Sequence, residues 1–161
     1  MLKVASYDIV FQEIPGEVTL ALNLSGCPCH CPGCHSQHLW EDTGEELTRG
    51  LLDNLMNRYS GLVTCVCFMG GDQAPEEVHR LAEHAKQSPV TTNPSPIKTA
   101  WYSGRTNMPE ADGVLDYVKL GPYIESLGGL KSPTTNQRLY QLTANQWNDI
   151  TSTFWKKRFW A

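Results

Sequence analysis

The sequence has no apolar run long enough to cross a bilayer, which would take about 20 mostly apolar residues in a helix. It also has no excess of basic charge, since 13 Lys and Arg stand against 17 Asp and Glu and give a formal net charge of −4. Non-specific nucleic-acid binding needs a basic face, so this balance argues against it. Residues 1–8 lack the apolar stretch and the small-residue cleavage site of a signal peptide. These absences predict a cytoplasmic protein that has neither a membrane nor a nucleic acid as partner.

Internal repeats, low-complexity tracts and shifts in composition that would mark a domain boundary are also missing. A length of 161 residues is typical of one domain and is large enough to bury a core without disulfides or metals as staples. We therefore expect a single domain over residues 1–161.

Hydrophobic patterning predicts strands that alternate with helices. The apolar runs predict strands at 17–24, 62–69, 97–102 and 114–120, and helical spacing predicts helices at 45–59 and 75–86. Alternation of this kind implies a parallel sheet with crossover helices, in too few units for a complete barrel of about 250 residues. The expected fold class is α/β, a small open partial (β/α) barrel with a mostly parallel sheet.

Cysteine is the residue whose distribution stands out. Four of the six cysteines fall within residues 27–34, and the other two are Cys65 and Cys67 in the second predicted strand. In a reducing compartment, clustered cysteines are more often metal ligands or redox groups than structural disulfides. The segment 26–35 is therefore the first candidate for a metal site.

Two of the ligand patterns in this segment predict ordinary metalloproteins. Residues 31–35 read C-x-x-C-H, the attachment signature of c-type haem, which normally belongs to exported proteins. A tetrahedral zinc site is the stronger rival, and Cys65-x-Cys67 would be its second ligand pair. The thiols and imidazoles available to zinc in the loop are those of Cys27, Cys29, His30, Cys31, Cys34, His35 and His38.

The third pattern, Cys27-x3-Cys31-x2-Cys34, predicts an iron–sulfur cluster. Three thiolates in a tight loop hold three corners of a [4Fe–4S] cube and leave the fourth iron without a protein ligand. An open metal position of this kind can chelate a substrate. Cys29 lies inside the loop and is interpreted as a spare thiol.

The Cys27, Cys31 and Cys34 spacing resembles the signature of radical S-adenosylmethionine enzymes. Those enzymes also carry a Gly-Gly-Glu-like motif after their second strand, and Gly70-Gly71-Asp72 stands at that place here, with Asp72 in place of Glu. Glycines let the chain bend and bring its backbone close to a ligand.

Within that superfamily the chain resembles the activating proteins of anaerobic (class III) ribonucleoside-triphosphate reductases. The segments that carry this resemblance are Pro15-Gly16, Gly26-Cys27-Pro28, Cys34-His35-Ser36 with Trp40, 101–105, 116–124 and Thr135-Asn136-Gln137-Arg138. Leu120 stands where these activases commonly have an Asp.

The resemblance implies two cofactors, a [4Fe–4S] cluster and S-adenosylmethionine, and a reaction that needs no side chain as acid or base. A reduced cluster would cleave S-adenosylmethionine to a 5′-deoxyadenosyl radical, which would generate a glycyl radical on the reductase. Cys27, Cys31 and Cys34 would be the metal ligands. The implied contacts to S-adenosylmethionine come from Gly33, His35, Gly70, Gly71, Asp72 and Ser103.

The implied partners are the anaerobic reductase, as the protein substrate, and a flavodoxin- or ferredoxin-like electron donor. Activation of another glycyl-radical enzyme is the alternative within the superfamily. A non-catalytic zinc-binding interaction module is the alternative outside it.

Overall fold

The computed structural model of the chain describes residues 1–29, 31–33, 39–88 and 96–156. Its strands form one mixed sheet of eight, in the order β3-β1-β2-β4-β5-β6-β7-β8. The strands are β1 (Lys3–Val10), β2 (Thr19–Leu24), β3 (Glu45–Glu46), β4 (Cys65–Met69), β5 (Lys98–Tyr102), β6 (Tyr117–Leu120), β7 (Arg138–Thr143) and β8 (Gln146–Asp149). The described helices are α1 (Arg49–Arg58), α2 (Pro75–Gln87) and a 3-10 helix at Thr151–Trp155.

The predicted fold class, a mostly parallel partial (β/α) barrel, is wrong. Four of the seven strand pairings are antiparallel, namely β1 with β2, β1 with β3, β6 with β7, and β7 with β8. Only the central strands β2, β4, β5 and β6 run parallel. Within the described residues α1 and α2 are the only α-helices, and the connection 103–116 between β5 and β6 contains none.

The prediction failed because it located the parallel strands and missed the flanking antiparallel ones. The predicted strands at 17–24, 62–69, 97–102 and 114–120 contain β2, β4, β5 and β6. The strands β7 and β8 form a hairpin whose turn residues, Ala144 and Asn145, have φ of 51° and 62°. A two-residue turn with both φ values positive matches the right-handed twist of its strands. Ala-Asn is a weak sequence signal for this turn, which usually contains Gly.

The two faces of the sheet bury different side chains. Leu and Val residues of β2, β4 and β6, together with Phe68 and Trp101, pack on one face against Leu52 of α1 and Leu81 of α2. The other face is smaller and buries Cys65, Cys67, Ala100, Tyr117 and Leu139 with Ile14. None of the described helices is long and apolar enough to span a membrane.

A buried carboxylate ties the amino ends of the parallel strands together. Glu17, just before β2, accepts hydrogen bonds from Lys98 Nζ and Tyr117 Oη at 2.8 Å each. Thr64 Oγ1 donates to the other Glu17 oxygen, also at 2.8 Å. This network fixes the relative positions of the parallel strands at their amino ends, and thereby helps to position their carboxyl ends.

Candidate functional site

A cavity of about 180 Å³ lies at the carboxyl ends of the four parallel strands. Each of those strands contributes residues at or just beyond its end: Leu24 from β2, Met69 and Gly70 from β4, Tyr102 from β5, and Lys119 from β6. In open sheets with parallel strands, ligands bind outside the carboxyl strand ends. This edge is therefore the candidate functional site.

The cysteine loop forms one wall of that cavity, which Cys27, Cys29 and Cys31 all line. The loop starts at Gly26, whose φ of +74° suits glycine and which turns the chain away from β2. Backbone hydrogen bonds from Gly26 N to Glu41 O and from Cys27 N to Leu39 O then hold its two ends together. The loop is thus anchored where the first predicted ligand begins.

Asp72 is the buried charge at the centre of the site, with 1% of its surface exposed. Its carboxylate accepts hydrogen bonds from Ser103 Oγ at 2.5 Å and from Gly104 N at 3.0 Å. The Arg105 guanidinium lies 3.9 Å from the same carboxylate and donates to the Asp72 carbonyl at 2.5 Å. Asp72 therefore fastens the segment after β5 to the segment after β4.

Cys29 completes this arrangement from the cysteine loop. Its Sγ donates to Asp72 Oδ2 at 3.6 Å, and the Sγ atoms of Cys27 and Cys29 and an Asp72 oxygen all lie within 4.8 Å of one another. Burial, followed by the electrostatic effect of the neighbouring Asp72 and Cys27 side chains, raises the pKa of the Cys29 thiol to about 12. The sequence analysis interprets Cys29 as a spare thiol, whereas the structure places it against the buried carboxylate.

The close contact between Cys29 and Asp72 depends on Gly104. A Cβ at residue 104 would lie 2.6 Å from Cys29 Sγ, closer than real Cβ atoms come to a neighbour. Since Gly104 does not have a positive φ, the glycine is needed here for space rather than for its backbone conformation.

Gly70 and Gly71 form the bend after β4, with φ of 106° and 87°. Gly70 lines the cavity, and its carbonyl accepts a hydrogen bond from Trp101 Nε1 at 2.6 Å. Gly71 is buried below the cavity wall, where a Cβ would lie 2.6 Å from Val78 of α2. The two glycines thus differ, one lining the cavity and the other packing the helix against the sheet.

Lys119 brings a buried ammonium group into the cavity. Only 8% of the residue is exposed, and its Nζ donates to Gly121 O at 3.1 Å and lies 5.7 Å from the centre of the Tyr102 ring. Burial lowers the pKa of Lys119, although the carboxylate of Asp72 and the loop thiols act in the opposite direction. An ammonium has three donors, so Lys119 can serve an anionic ligand in the cavity as well as Gly121.

The structure brings together several of the residues predicted for the site. Cys27, Cys31, Gly70 and Asp72 line the cavity, and Ser103 lies behind Asp72 with no exposed surface. Gly33 does not line it: a Cβ there would lie 2.9 Å from a Glu125 carboxylate oxygen. Cys34 and His35 lie outside the described residues.

Other site residues were missed by the sequence analysis. Lys119 is a lone lysine in an apolar strand, which is the one signal that could have singled it out. Gln137 also lines the cavity and donates to Gly121 O at 3.3 Å, while Asn136 Nδ2 donates to Pro122 O at 3.0 Å. The segment after Thr135 therefore packs on the turn that follows β6, and both belong to the resemblance described above.

Cys65 and Cys67 lie apart from this site, since both are fully buried in β4 on the smaller core face. Burial raises the pKa of the Cys65 thiol well above its usual range, so it is held as a neutral core side chain. Among the described residues, the group of side chains spaced to hold one metal ion is Cys27, Cys29 and Asp72, without either β4 cysteine.

The comparison with protein families agrees with the thiol-rich site. The model of the 4Fe-4S single cluster domain family matches residues 15–108, which is more than half of the chain. The chain belongs to this family and contains an iron–sulfur cluster-binding domain. No curated protein and no solved structure matches the chain.

The donor atoms present in the structure fit such a cluster. Fe–S clusters are held by Cys thiolates, and two of the predicted ligands, Cys27 and Cys31, line the same cavity at the strand ends. The ligand spacing from the sequence makes Cys27 and Cys31 two of the cluster ligands to test, with Cys34 as the third.

Proposed function

We propose that this protein is a radical S-adenosylmethionine activase that holds a [4Fe–4S] cluster through Cys27, Cys31 and Cys34. The observation that carries the proposal is one cavity in which Cys27 and Cys31 meet Gly70 and the buried ammonium of Lys119. A cluster needs the thiols, and an amino-acid-bearing cofactor needs partners for its charged ends.

Cys27, Cys31 and Cys34 would hold the cluster, which in its reduced form would supply the one electron needed for reductive cleavage of the C–S bond of S-adenosylmethionine. The chain's own residues bind and orient the cofactor and exclude water, as is usual where a cofactor carries the chemistry. No side chain is required as an acid or a base.

Lys119 is the group proposed to bind the carboxylate of the cofactor's methionine moiety. Its ammonium lines the cavity and is buried, so a hydrogen bond to an anion there is charge-assisted and little weakened by water. We assign Asp72 a positioning role, because its carboxylate already accepts hydrogen bonds from Ser103 and Gly104. The contacts of Gly33, His35, Gly71 and Ser103 with the cofactor stay predictions.

The protein substrate is proposed from the family resemblance to be an anaerobic ribonucleoside-triphosphate reductase, on which the radical would generate a glycyl radical. The proposed electron donor is a flavodoxin- or ferredoxin-like protein. The packing of the segment after Thr135 on the turn after Leu120 supports this subgroup, because both segments belong to the resemblance.

The test is anaerobic reconstitution with iron and sulfide, reduction, addition of S-adenosylmethionine and measurement of 5′-deoxyadenosine. We expect product from the wild type and none from Cys27→Ala, Cys31→Ala or Cys34→Ala. Cys29→Ala is the matched control, since it removes a thiol from the same loop and cavity but not from the ligand spacing, and it is expected to retain the cluster and form product. A glycyl-radical signal on an added class III reductase tests the partner.

Two outcomes would decide for the alternatives. Formation of 5′-deoxyadenosine with no radical on the reductase would favour activation of another glycyl-radical enzyme. A colourless protein with stoichiometric zinc and no product would favour a zinc-binding interaction module and reject the proposal.

A further inference from the structure

We propose that Cys27, Cys29 and Asp72 form a binding site for a single thiophilic divalent cation of the zinc class, in a donor set that differs from the proposed cluster ligands. The inference does not depend on S-adenosylmethionine chemistry. It gives Cys29, which is not part of the cluster spacing, a metal ion to bind.

The geometry of the three donors suits one ion. Zinc binds thiolate sulfur at about 2.3 Å and carboxylate oxygen at about 2.0 Å, so the two atoms stand about 3.5 Å apart on a tetrahedral ion. The observed separation of Cys29 Sγ and Asp72 Oδ2 is 3.6 Å, and Cys27 Sγ lies within 4.8 Å of Cys29 Sγ and of an Asp72 carboxylate oxygen. Three protein ligands leave a fourth position for water, as in many zinc sites.

The carboxylate side of the site is rigid. Asp72 has 1% of its surface exposed and is held by Ser103 Oγ and Gly104 N. Gly104 leaves the space that Cys29 Sγ fills, since a Cβ there would lie 2.6 Å from the sulfur. Two of the three donors are thus set in place by the segment after β5.

The single ion and the cluster would both use Cys27, so the protein cannot hold the two at the same time. The Cys27 thiolate cannot serve the single ion and the cluster in the same arrangement, so the ion must leave before the cluster is complete. Binding of the ion releases the proton of each thiol that coordinates it. The single-ion form therefore cannot carry the cluster.

The test uses Co²⁺ as a spectroscopic probe on the metal-free protein, kept reduced and anaerobic. We expect one equivalent to bind with the visible absorption of tetrahedral Co²⁺ and with sulfur-to-cobalt charge transfer. Cys29→Ser should weaken the affinity more than the roughly 10–100-fold that loss of a supporting second-shell group costs, and should reduce the charge-transfer absorption. Unchanged affinity and absorption in Cys29→Ser would overturn the proposal.

Three further variants make the assignment specific. Cys34→Ser should leave Co²⁺ affinity as in the wild type, and a loss there equal to that of Cys29→Ser would show that the ion uses the cluster cysteines instead. Gly104→Ala should weaken binding at least about tenfold without removing a donor atom, because its methyl group displaces Cys29 Sγ. Gly50→Ala, a change of the same size at an exposed position of helix α1, should have no effect. Circular dichroism of each variant establishes that it is folded.

The two proposals fail separately. Iron–sulfide reconstitution of Cys29→Ser should restore the cluster absorption, because that variant keeps Cys27, Cys31 and Cys34. Loss of Co²⁺ binding with a normal cluster supports the single-ion site, whatever the result of the S-adenosylmethionine assay. A cluster that forms in the wild type but fails in Cys29→Ser would place Cys29 among the cluster ligands and overturn the separate donor set.

Discussion

Replacing Lys119 by Met tests the proposed S-adenosylmethionine site by removing one charged group. Met matches the length of the lysine stem and is apolar, so it fits a position with 8% exposure. The Gly121 carbonyl, which Lys119 Nζ contacts, keeps a donor because Gln137 Nε2 also reaches it at 3.3 Å. The substitution therefore removes the ammonium without leaving that carbonyl unpaired.

The expected effect follows from the energy of one hydrogen bond to a charged group. Such a bond contributes about 1.5–3 kcal/mol, which corresponds to roughly 10- to 150-fold in affinity. Lys119→Met should weaken binding of S-adenosylmethionine by this factor. Decarboxylated S-adenosylmethionine lacks the anion, so the wild type should bind it more weakly by a similar factor, and Lys119→Met should bind both compounds alike.

Isothermal titration calorimetry of the cluster-loaded protein measures the four affinities. Lys3→Met is the matched control, because Lys3 lies on β1 with its Nζ on Asp42, away from the cavity, and its loss should leave the discrimination intact. The reasoning is refuted if the wild type binds the two compounds equally, or if Lys119→Met still prefers the carboxylated one.

Three further predictions concern stability and are measured by thermal and urea unfolding. Glu17→Gln should cost about 1–3 kcal/mol, since one neutral amide oxygen replaces the charged carboxylate that accepts from Lys98 Nζ, Tyr117 Oη and Thr64 Oγ1, and each kcal/mol should lower Tm by about 2–4 °C; an unchanged Tm would contradict it. Gly71→Ala should cost at least about 1–3 kcal/mol because φ is 87° and the new methyl group meets Val78 at 2.6 Å, so a neutral result would count against the packing described. Gly50→Ala should stabilise the protein by about 0.5–1 kcal/mol, because alanine loses less conformational entropy than glycine when the chain folds into α1. Any loss of stability would contradict this prediction.

The central part of the fold was predictable because its strands are apolar runs. Strand β4 is buried on both faces, from Cys65 to Phe68, and its sequence is correspondingly almost free of polar residues. Strand β1 is different: most of it is exposed or half-buried, and Ser6 and Asp8 interrupt its apolar pattern. It forms because it pairs with β2, a long-range contact that local sequence does not reveal.

The candidate site was predictable only in part, for a similar reason. The cysteine spacing indicates ligands directly, because metal chelation by a loop is local in sequence. The sequence predicts a contact between Asp72 and the cofactor, and this contact stays a prediction. The hydrogen bonds of Asp72 to Ser103 and Gly104 were not predictable, because they depend on how two parallel strands end side by side. Lys119 stands out as a lysine in an apolar strand, but a strand sequence does not tell which of its faces lines a cavity.

The short strands at the two edges of the sheet limit how another protein can attach. Strand β3 has two residues, both exposed glutamates, and β8 has four residues of which three are exposed and polar. Short and charged edges offer few free backbone groups and oppose the addition of a strand from another chain. Recognition by extension of the sheet is thus disfavoured at β3 and β8, but β3 covers only Lys3 and Val4 of β1. A protein partner is therefore expected to reach this molecule through the outer side of β1 beyond Val4 or through the loops around the strand ends.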